Sequence, residues 1–192
     1  MLLDNQINIF EEFLKDFNAK ITGSYIAKKK GLNQKTTANF LNRLEKEAIL
    51  KSNTQGKNKL FFLNLNNKEI VENFMMAAEH IRTINFYKKN ILVKEIAEKI
   101  QAHIEGAAII FGSYAKNIQK QGSDLDILII GKCNEKEIEN ISKIYKIDIS
   151  LKIYPELELD ILLKEVIKEH IIIKNTELFV RRVTKWTKSN GA

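Results

Sequence analysis

One cysteine, one proline and three histidines in 192 residues leave little room for several common designs. A lone cysteine, Cys133, excludes an internal disulfide framework and any multi-cysteine zinc site, and a reducing cytoplasm is the compartment expected. His80, His103 and His170 are too scattered along the chain to suggest a metal cluster. No uninterrupted apolar run reaches the roughly 18 residues of a membrane span, so no membrane partner is expected. The opening MLLDNQINIFEEFLKDF is amphipathic and acidic, without the basic flank and small-residue cleavage site of a secretory signal. What is present is ordinary for a folded protein: 44% hydrophobic and 29% charged residues, in a length that suits one medium domain or two small ones. Thirty-one Lys and Arg against 24 Asp and Glu give a formal charge of +7. That balance favours polyanionic partners, nucleic acid or nucleotide phosphates.

Apolar periodicity divides the chain. Leu3, Ile7, Phe10, Phe13, Leu14 and Phe17 recur at spacings of three and four, which predicts one amphipathic helix. A short helix follows with Tyr25, Ile26 and Ala27, closed by Gly31. Asn33 then caps a helix whose inward face is Thr37, Phe40, Leu41, Leu44 and Ala48. Two β-prone pieces near 49–53 and 59–64 flank a glycine turn and read as a hairpin. Helix, helix–turn–helix, hairpin is the order of a winged helix domain, expected over 1–66. From 67 to 104 a linker helix region is expected, broken near 87–90, with Val71, Phe74, Met75, Ala78, Ile81, Ile84 and Ile91 as its apolar seam. Over 105–192, strands are expected at 107–111, 125–130, 147–153 and 170–174. Helices are expected at 114–119, 134–144, 156–168 and about 175–187. Such alternation points to an α/β sheet packed against helices. Pro155 suits the first turn of the helix beginning near Glu156.

The chemistry lies in FGSYAKNIQKQGSDLDILII, residues 111 to 130. Gly112 follows a buried strand and allows close approach of backbone to a ligand. Ser113 is placed to cap the short helix that follows, whose free N–H groups suit a phosphate. Asp124 and Asp126, two apart on a strand, project to the same face with Cα atoms within about 7 Å. Two unpaired carboxylates beside the apolar run Ile127 to Ile130 are costly unless neutralised, and a divalent cation is the natural partner. A solvated strand end is the alternative for Asp-x-Asp by itself. Asp148, in KIDISLKI, would lie beside the pair if its strand neighbours theirs, since facing residues sit about 5 Å apart. Asp160 is the alternative third acid, in a helical pattern that faces it to solvent. Oxygen ligands of this kind suit Mg²⁺ holding substrate phosphates.

GSYAKNIQKQGSDLDILI resembles the signature of the polymerase-β-type nucleotidyltransferase superfamily: Gly-Ser, about ten residues, then Asp-x-Asp. The resemblance covers about residues 105 to 153 and is nearest to minimal nucleotidyltransferase domains, some of which carry an N-terminal helix–turn–helix. It implies a nucleoside triphosphate held by Gly112 and Ser113, with Lys116 a further phosphate contact or simply a solvated helix lysine. It implies Asp124, Asp126 and Asp148 as catalytic metal ligands for two Mg²⁺ ions, Asp148 also helping to deprotonate the attacking hydroxyl. The chain departs from the family in having no glycine between Ser113 and Gly122. The fold class expected is thus α+β with α/β character: an N-terminal winged helix, a linker helix, and a small mixed β-sheet with helices packed on it.

On the first half, IAKKKGLNQKTTANFLNRLEKEAIL resembles the winged helix–turn–helix of prokaryotic regulators in pattern. Gln34, Lys35, Asn39, Asn42, Arg43 and Lys46 lie off the apolar face and are able to reach base edges and phosphates. The hairpin adds Lys51, Lys57 and Lys59, and Lys28 to Lys30 precede the turn. The same basic face would also serve dimerisation or a protein partner. The function expected is Mg²⁺-dependent transfer of AMP from ATP to a hydroxyl of an unidentified acceptor, with DNA bound by the N-terminal domain. The alternative is a DNA-binding regulator, or an antitoxin-like component with a small helical partner protein, whose transferase domain senses nucleotide or is inactive. A homodimer is compatible with either.

Overall fold

A computed structural model describes residues 2–155 and 161–190, with side chains over 5–155 and 163–185. Asp160 lies outside the described residues. The chain forms two compact units, Met1–Ala78 with Val180–Ala192, and Glu79–Phe179. Among the described residues no helix is long and apolar enough to cross a membrane.

In the first unit α1 (Leu2–Lys15) buries Ile7, Phe10, Phe13 and Leu14 along one stripe. At 1.5–3 kcal/mol for each large apolar side chain, roughly, that stripe is what makes the helix stable. Thr22 caps α2 (Gly23–Lys30) by accepting from the Tyr25 N–H, and Gly31 closes it at φ 63°. Asn33 caps α3 (Gln34–Lys46) by accepting from the Thr36 N–H. Thr37, Phe40, Leu41 and Leu44 face inward as expected. Ala48 does not: α3 ends at Lys46, and Ala48 sits beyond it at φ 57°, half-buried. The hairpin is longer and tighter than expected. β2 (Leu50–Gln55) pairs with β3 (Asn58–Leu63) around Gly56 and Lys57, with Gly56 at φ 60° in the first turn position, as a two-residue hairpin turn requires. A strand of two residues, β1 (Ile21–Thr22), completes an antiparallel sheet in the order β1-β3-β2. Sequence patterning does not predict it, because two residues carry no readable alternation.

α4 (Lys68–Lys89) begins in the first unit and ends in the second, and α5 (Ile91–Ile100) follows after a break at Asn90. The break falls where the sequence predicts it. The seam, however, stops at Ala78. Ile84 is 53% exposed and Ile91 66%, while Glu79 and Arg82 are buried in their place. The helix turns these two charged residues inward because they have partners there. Arg82 grips both Glu79 oxygens at 2.9 and 3.1 Å and donates to the His170 carbonyl at 3.0 Å. His170 lies with Nε2 3.1 Å from Glu79 Oε1 and Nδ1 2.9 Å from the Ile167 carbonyl. Each ring nitrogen thus has a polar partner within hydrogen-bond distance.

The second unit contains β4 (Ile104–Ile110), α6 (Gly112–Ala115), β5 (Leu125–Cys133), α7 (Glu135–Tyr145), β6 (Ile149–Tyr154), α8 (Ile161–Lys168) and β7 (Ile171–Lys174). α9 (Thr176–Asn190) starts in it. The sheet order is β6-β5-β4-β7, with β5 and β6 parallel and the other pairs antiparallel, which is the small mixed sheet expected. Leu125, Ile127 and Ile129 alternate along β5 and pack, with Ala108 and Ile110, in one core with Val93, Ile96 and Ile100 of α5 and Ile138 and Ile141 of α7. Every second residue of β5 is thereby committed to the helices, and Asp124 and Asp126 are left on the opposite face.

Burial pushes the Glu79 carboxyl up, but the charges of Arg82 and His170 and their hydrogen bonds outweigh it and hold Glu79 below its ordinary value. A depressed carboxyl contributes stability that is present above the unfolded value and lost as pH falls through the folded one. Urea midpoints are therefore expected to fall as pH drops below about 4.5. Glu79→Gln, which removes the buried negative charge that the Arg82 guanidinium faces, is expected to cost about 3–5 kcal/mol at neutral pH. A variant within about 1 kcal/mol of the native chain in the same titration would refute the network's role.

Candidate active site

Three strands and one turn build the site. Phe111 leaves β4 in extended conformation and donates its N–H to the Asp126 carbonyl at 3.1 Å, prolonging the β4–β5 pairing by one step. The next residue, Gly112, turns sharply at φ 69°. A Cβ on it would stand 2.1 Å from Asp126 Oδ2, so the position requires glycine twice over, for its backbone angle and for the carboxylate against it. The Gly-Ser turn and the second aspartate, well separated in sequence, are therefore in direct contact.

α6 spans only Gly112–Ala115, shorter than the 114–119 helix expected, and Asn117 at φ 57° turns the chain away. Ser113 is not its cap: the helix begins at Gly112, the cap position is Phe111, and no side chain bonds the first turn. Ser113 is half-buried in that first turn, and Lys116 and Lys120 are exposed beyond it. The loop is held by Gln119, which donates to Asn90 Oδ1 at 3.2 Å, and by a Lys120–Ser123 turn with Lys120 N–H to Ser123 Oγ at 2.9 Å.

Asp124, just before β5, is exposed, and Asp126 on the strand is half-buried. Burial first, then the negative charge of Asp124, pushes the Asp126 carboxyl up, while a hydrogen bond from Ser150 and the charge of Lys152 act in the opposite direction. The two aspartates thus sense each other. Asp148 comes level with Asp124 through the backbone: the Leu125 N–H donates to the Asp148 carbonyl at 2.8 Å, one step before the Leu125–Ile149 pair of the parallel ladder. Its side chain is exposed, and among the described residues no three His, Cys, Asp or Glu side chains close into a group able to hold a metal. The structure brings Asp124 and Asp126 together and sets the Asp148 backbone level with Asp124, just before the neighbouring strand.

Two residues of this face were missed in the sequence. Ser150 pairs with Asp126 in the β5–β6 register, and Lys152 pairs with Leu128 two residues on. Asp148, Ser150 and Lys152 occupy every second position of IDISLKI, a polar alternation set between apolar residues.

The expected nucleic-acid face is on the first unit. Gln34, Lys35, Asn39, Asn42, Arg43 and Lys46 of α3 are exposed, as is Lys57 at the hairpin tip. They are not equally free. Lys59 bonds Asn42 Oδ1 at 3.0 Å and Glu45 at 2.6 Å, tying the hairpin to α3. Arg43 lies over the Phe40 ring and 3.8 Å from Glu47. Asn39 and Arg43 also line a cavity of about 340 Å³ floored by Ile9 and Phe40. Of the lysines before the turn, Lys29 and Lys30 are paired to Glu12 and Glu11 of α1 at 2.7 and 2.9 Å.

This turn, strand pair and mixed sheet define a nucleotidyltransferase domain, and the family of that description matches residues 89–188, which take in Gly112, Asp124, Asp126 and Asp148. The chain belongs to that family. A protein of Methanocaldococcus jannaschii named "Putative protein adenylyltransferase" is 41% identical over 71 residues, 36% of this chain and 56% of that protein. The chain therefore spans about half the length of this relative. Among solved structures, that of TrmBL2, described as an archaeal chromatin protein showing a novel mode of DNA binding, aligns over 97% of this chain and 98% of its own at 12% identity. Its TM-score of 0.24 is too low to bear on the fold.

Gly112→Ala is expected to destabilise the chain by at least about 1–2 kcal/mol from the left-handed backbone alone. The Asp126 contact adds to that cost, and urea denaturation reads the sum. A variant as stable as the native chain would mean that the turn relaxes freely.

Proposed function

We propose that this chain transfers AMP from ATP to a hydroxyl acceptor, using the face that carries Asp124, Asp126 and Asp148. The observation that carries the reading is the contact between Gly112 and Asp126, which joins a backbone turn suited to phosphate with a carboxylate pair suited to a divalent cation. The donor set fits Mg²⁺: oxygens only, no sulfur or imidazole, and two carboxylates whose mutual repulsion a cation would relieve. Asp124 and Asp126 would hold it, with Asp148 as third ligand. When bound, the metal supplies charge neutralisation at the reacting phosphate. In the reaction the acceptor oxygen forms a bond to the α-phosphorus, the bond to the β-phosphate oxygen breaks, and pyrophosphate leaves. Asp148, exposed and level with Asp124, is the residue proposed to take the hydroxyl proton. Gly112 and Ser113 bind the polyphosphate, with Lys116 a further contact. A protein hydroxyl is the favoured acceptor, because the relative is named for protein adenylylation.

We also propose that residues 1–66 are a winged helix domain that binds DNA, followed by a linker helix region over 67–104 and a nucleotidyltransferase domain over 105–192. The order α2, α3, β2, β3 and the exposed basic side chains of α3 and the hairpin support the reading. On this reading Lys35→Ala/Lys46→Ala is expected to weaken DNA binding in a gel shift at moderate salt. The salt slope is expected to drop by about 1 for each phosphate no longer neutralised. Unchanged affinity and slope would favour a protein-binding or dimerisation role for this face.

The transferase reading is tested with labelled ATP, Mg²⁺ and cell lysate. Asp124→Asn/Asp126→Asn is expected to reduce label transfer by more than about 100-fold, the upper end of what losing an outer partner of a metal ligand costs. The charge of Asp126 is disfavoured in the metal-free fold. Its removal is therefore expected to leave the thermal midpoint unchanged or higher, so that diminished transfer reports impaired chemistry. Equal labelling by both chains would overturn the assignment.

A further inference from the structure

Asp126 is restrained from two sides. Gly112 packs against its Oδ2, on the turn after β4. Ser150 pairs with Asp126 directly across the parallel ladder on β6, so its hydroxyl stands on the same face beside the carboxylate, whose charge it favours. A carboxylate on a strand otherwise turns easily about its last bond, since that torsion has only broad, two-fold preferences. With glycine against one oxygen and a hydroxyl donor on the neighbouring strand, the plane of the group is set by elements on both sides of β5.

We propose that Ser150 is the positioning residue of this site: its hydroxyl holds the Asp126 carboxylate in the orientation in which it meets a divalent cation. The proposal rests on the reading of Asp126 as a metal ligand. Packing does not call for a serine at this position. The rest of the strand is isoleucine, leucine, lysine and tyrosine, and a β-branched apolar residue would suit a half-buried strand site better. A serine is suited to donate, and the acceptor in reach is a carboxylate. Removing partners of this kind, one step from the metal, commonly changes affinity or activity by about 10–100-fold.

The test uses the full chain in four forms: native, Ser150→Ala, Ser150→Thr and Asp126→Asn. Mn²⁺ binding is read by calorimetry without nucleotide, and AMP transfer is read with labelled ATP. Ser150→Ala is expected to weaken Mn²⁺ binding by about 10-fold or more and to lower kcat comparably, with KM for ATP moving less than about twofold. Ser150→Thr, which keeps the hydroxyl, is expected to recover most of both, and a merely structural serine would show no such recovery in metal affinity. The proposal is overturned if Ser150→Ala binds Mn²⁺ within about twofold of the native chain while Asp126→Asn does not. In that outcome the reading of Asp126 as a metal ligand survives alone. If Asp126→Asn binds Mn²⁺ as the native chain does, or if the native chain takes up none, that reading falls and the role of Ser150 with it.

Discussion

The close approach of Gly112 to Asp126 organises the site. It exists because the Phe111 N–H continues the β4–β5 ladder to the Asp126 carbonyl, which brings the turn alongside the strand before the backbone swings into its left-handed angle. Any side chain at Gly112 would displace the carboxylate, and any shift of register between β4 and β5 would separate the pair. Ladder, turn and charge are thus one constraint. The apolar alternation of β5, with Leu125, Ile127 and Ile129 committed to α5 and α7, secures the register from the other face.

A second constraint lies away from the chemistry. Glu79, Arg82 and His170 replace apolar side chains where α4 meets the segment leading into β7, and the Arg82 guanidinium and Thr83 hydroxyl bond the carbonyls of His170 and Ile172. A buried polar cluster of this kind specifies one arrangement of helix against strand more sharply than an apolar interface would, since each bond has a single geometry. It also explains why the apolar stripe of α4 fades along its second half.

How much of this was legible in the sequence depended on how local each signal was. Gly112, Asp124 and Asp126 could be read because their spacing lies within one turn-and-strand segment. The caps at Asn33 and Gly31, the break at Asn90 and the hairpin glycine were legible for the same reason. The end of the apolar seam at Ala78 was not: Ile84 and Ile91 fit the periodicity, and only the distant His170 explains why the helix turns Glu79 and Arg82 inward instead. Ser150 and Lys152 were missed because their meaning comes from the parallel register with β5, which a strand's own residues do not encode. The placing of Ser113 as a helix cap failed by two residues, because a glycine able to adopt a positive angle starts the helix earlier than a serine cap would.

The parallel pairing of β5 and β6 has a consequence for when the site comes into being. Gly112, Asp126 and Ser150 meet only after a crossover through α7 has brought a third strand into register, a connection whose closure is slow compared with hairpin or helix formation. The turn and both aspartates lie within one turn-and-strand segment, while β6 reaches them only through the α7 crossover. A chain in which that crossover has not closed holds the Gly112 turn and both aspartates without Ser150 across from them.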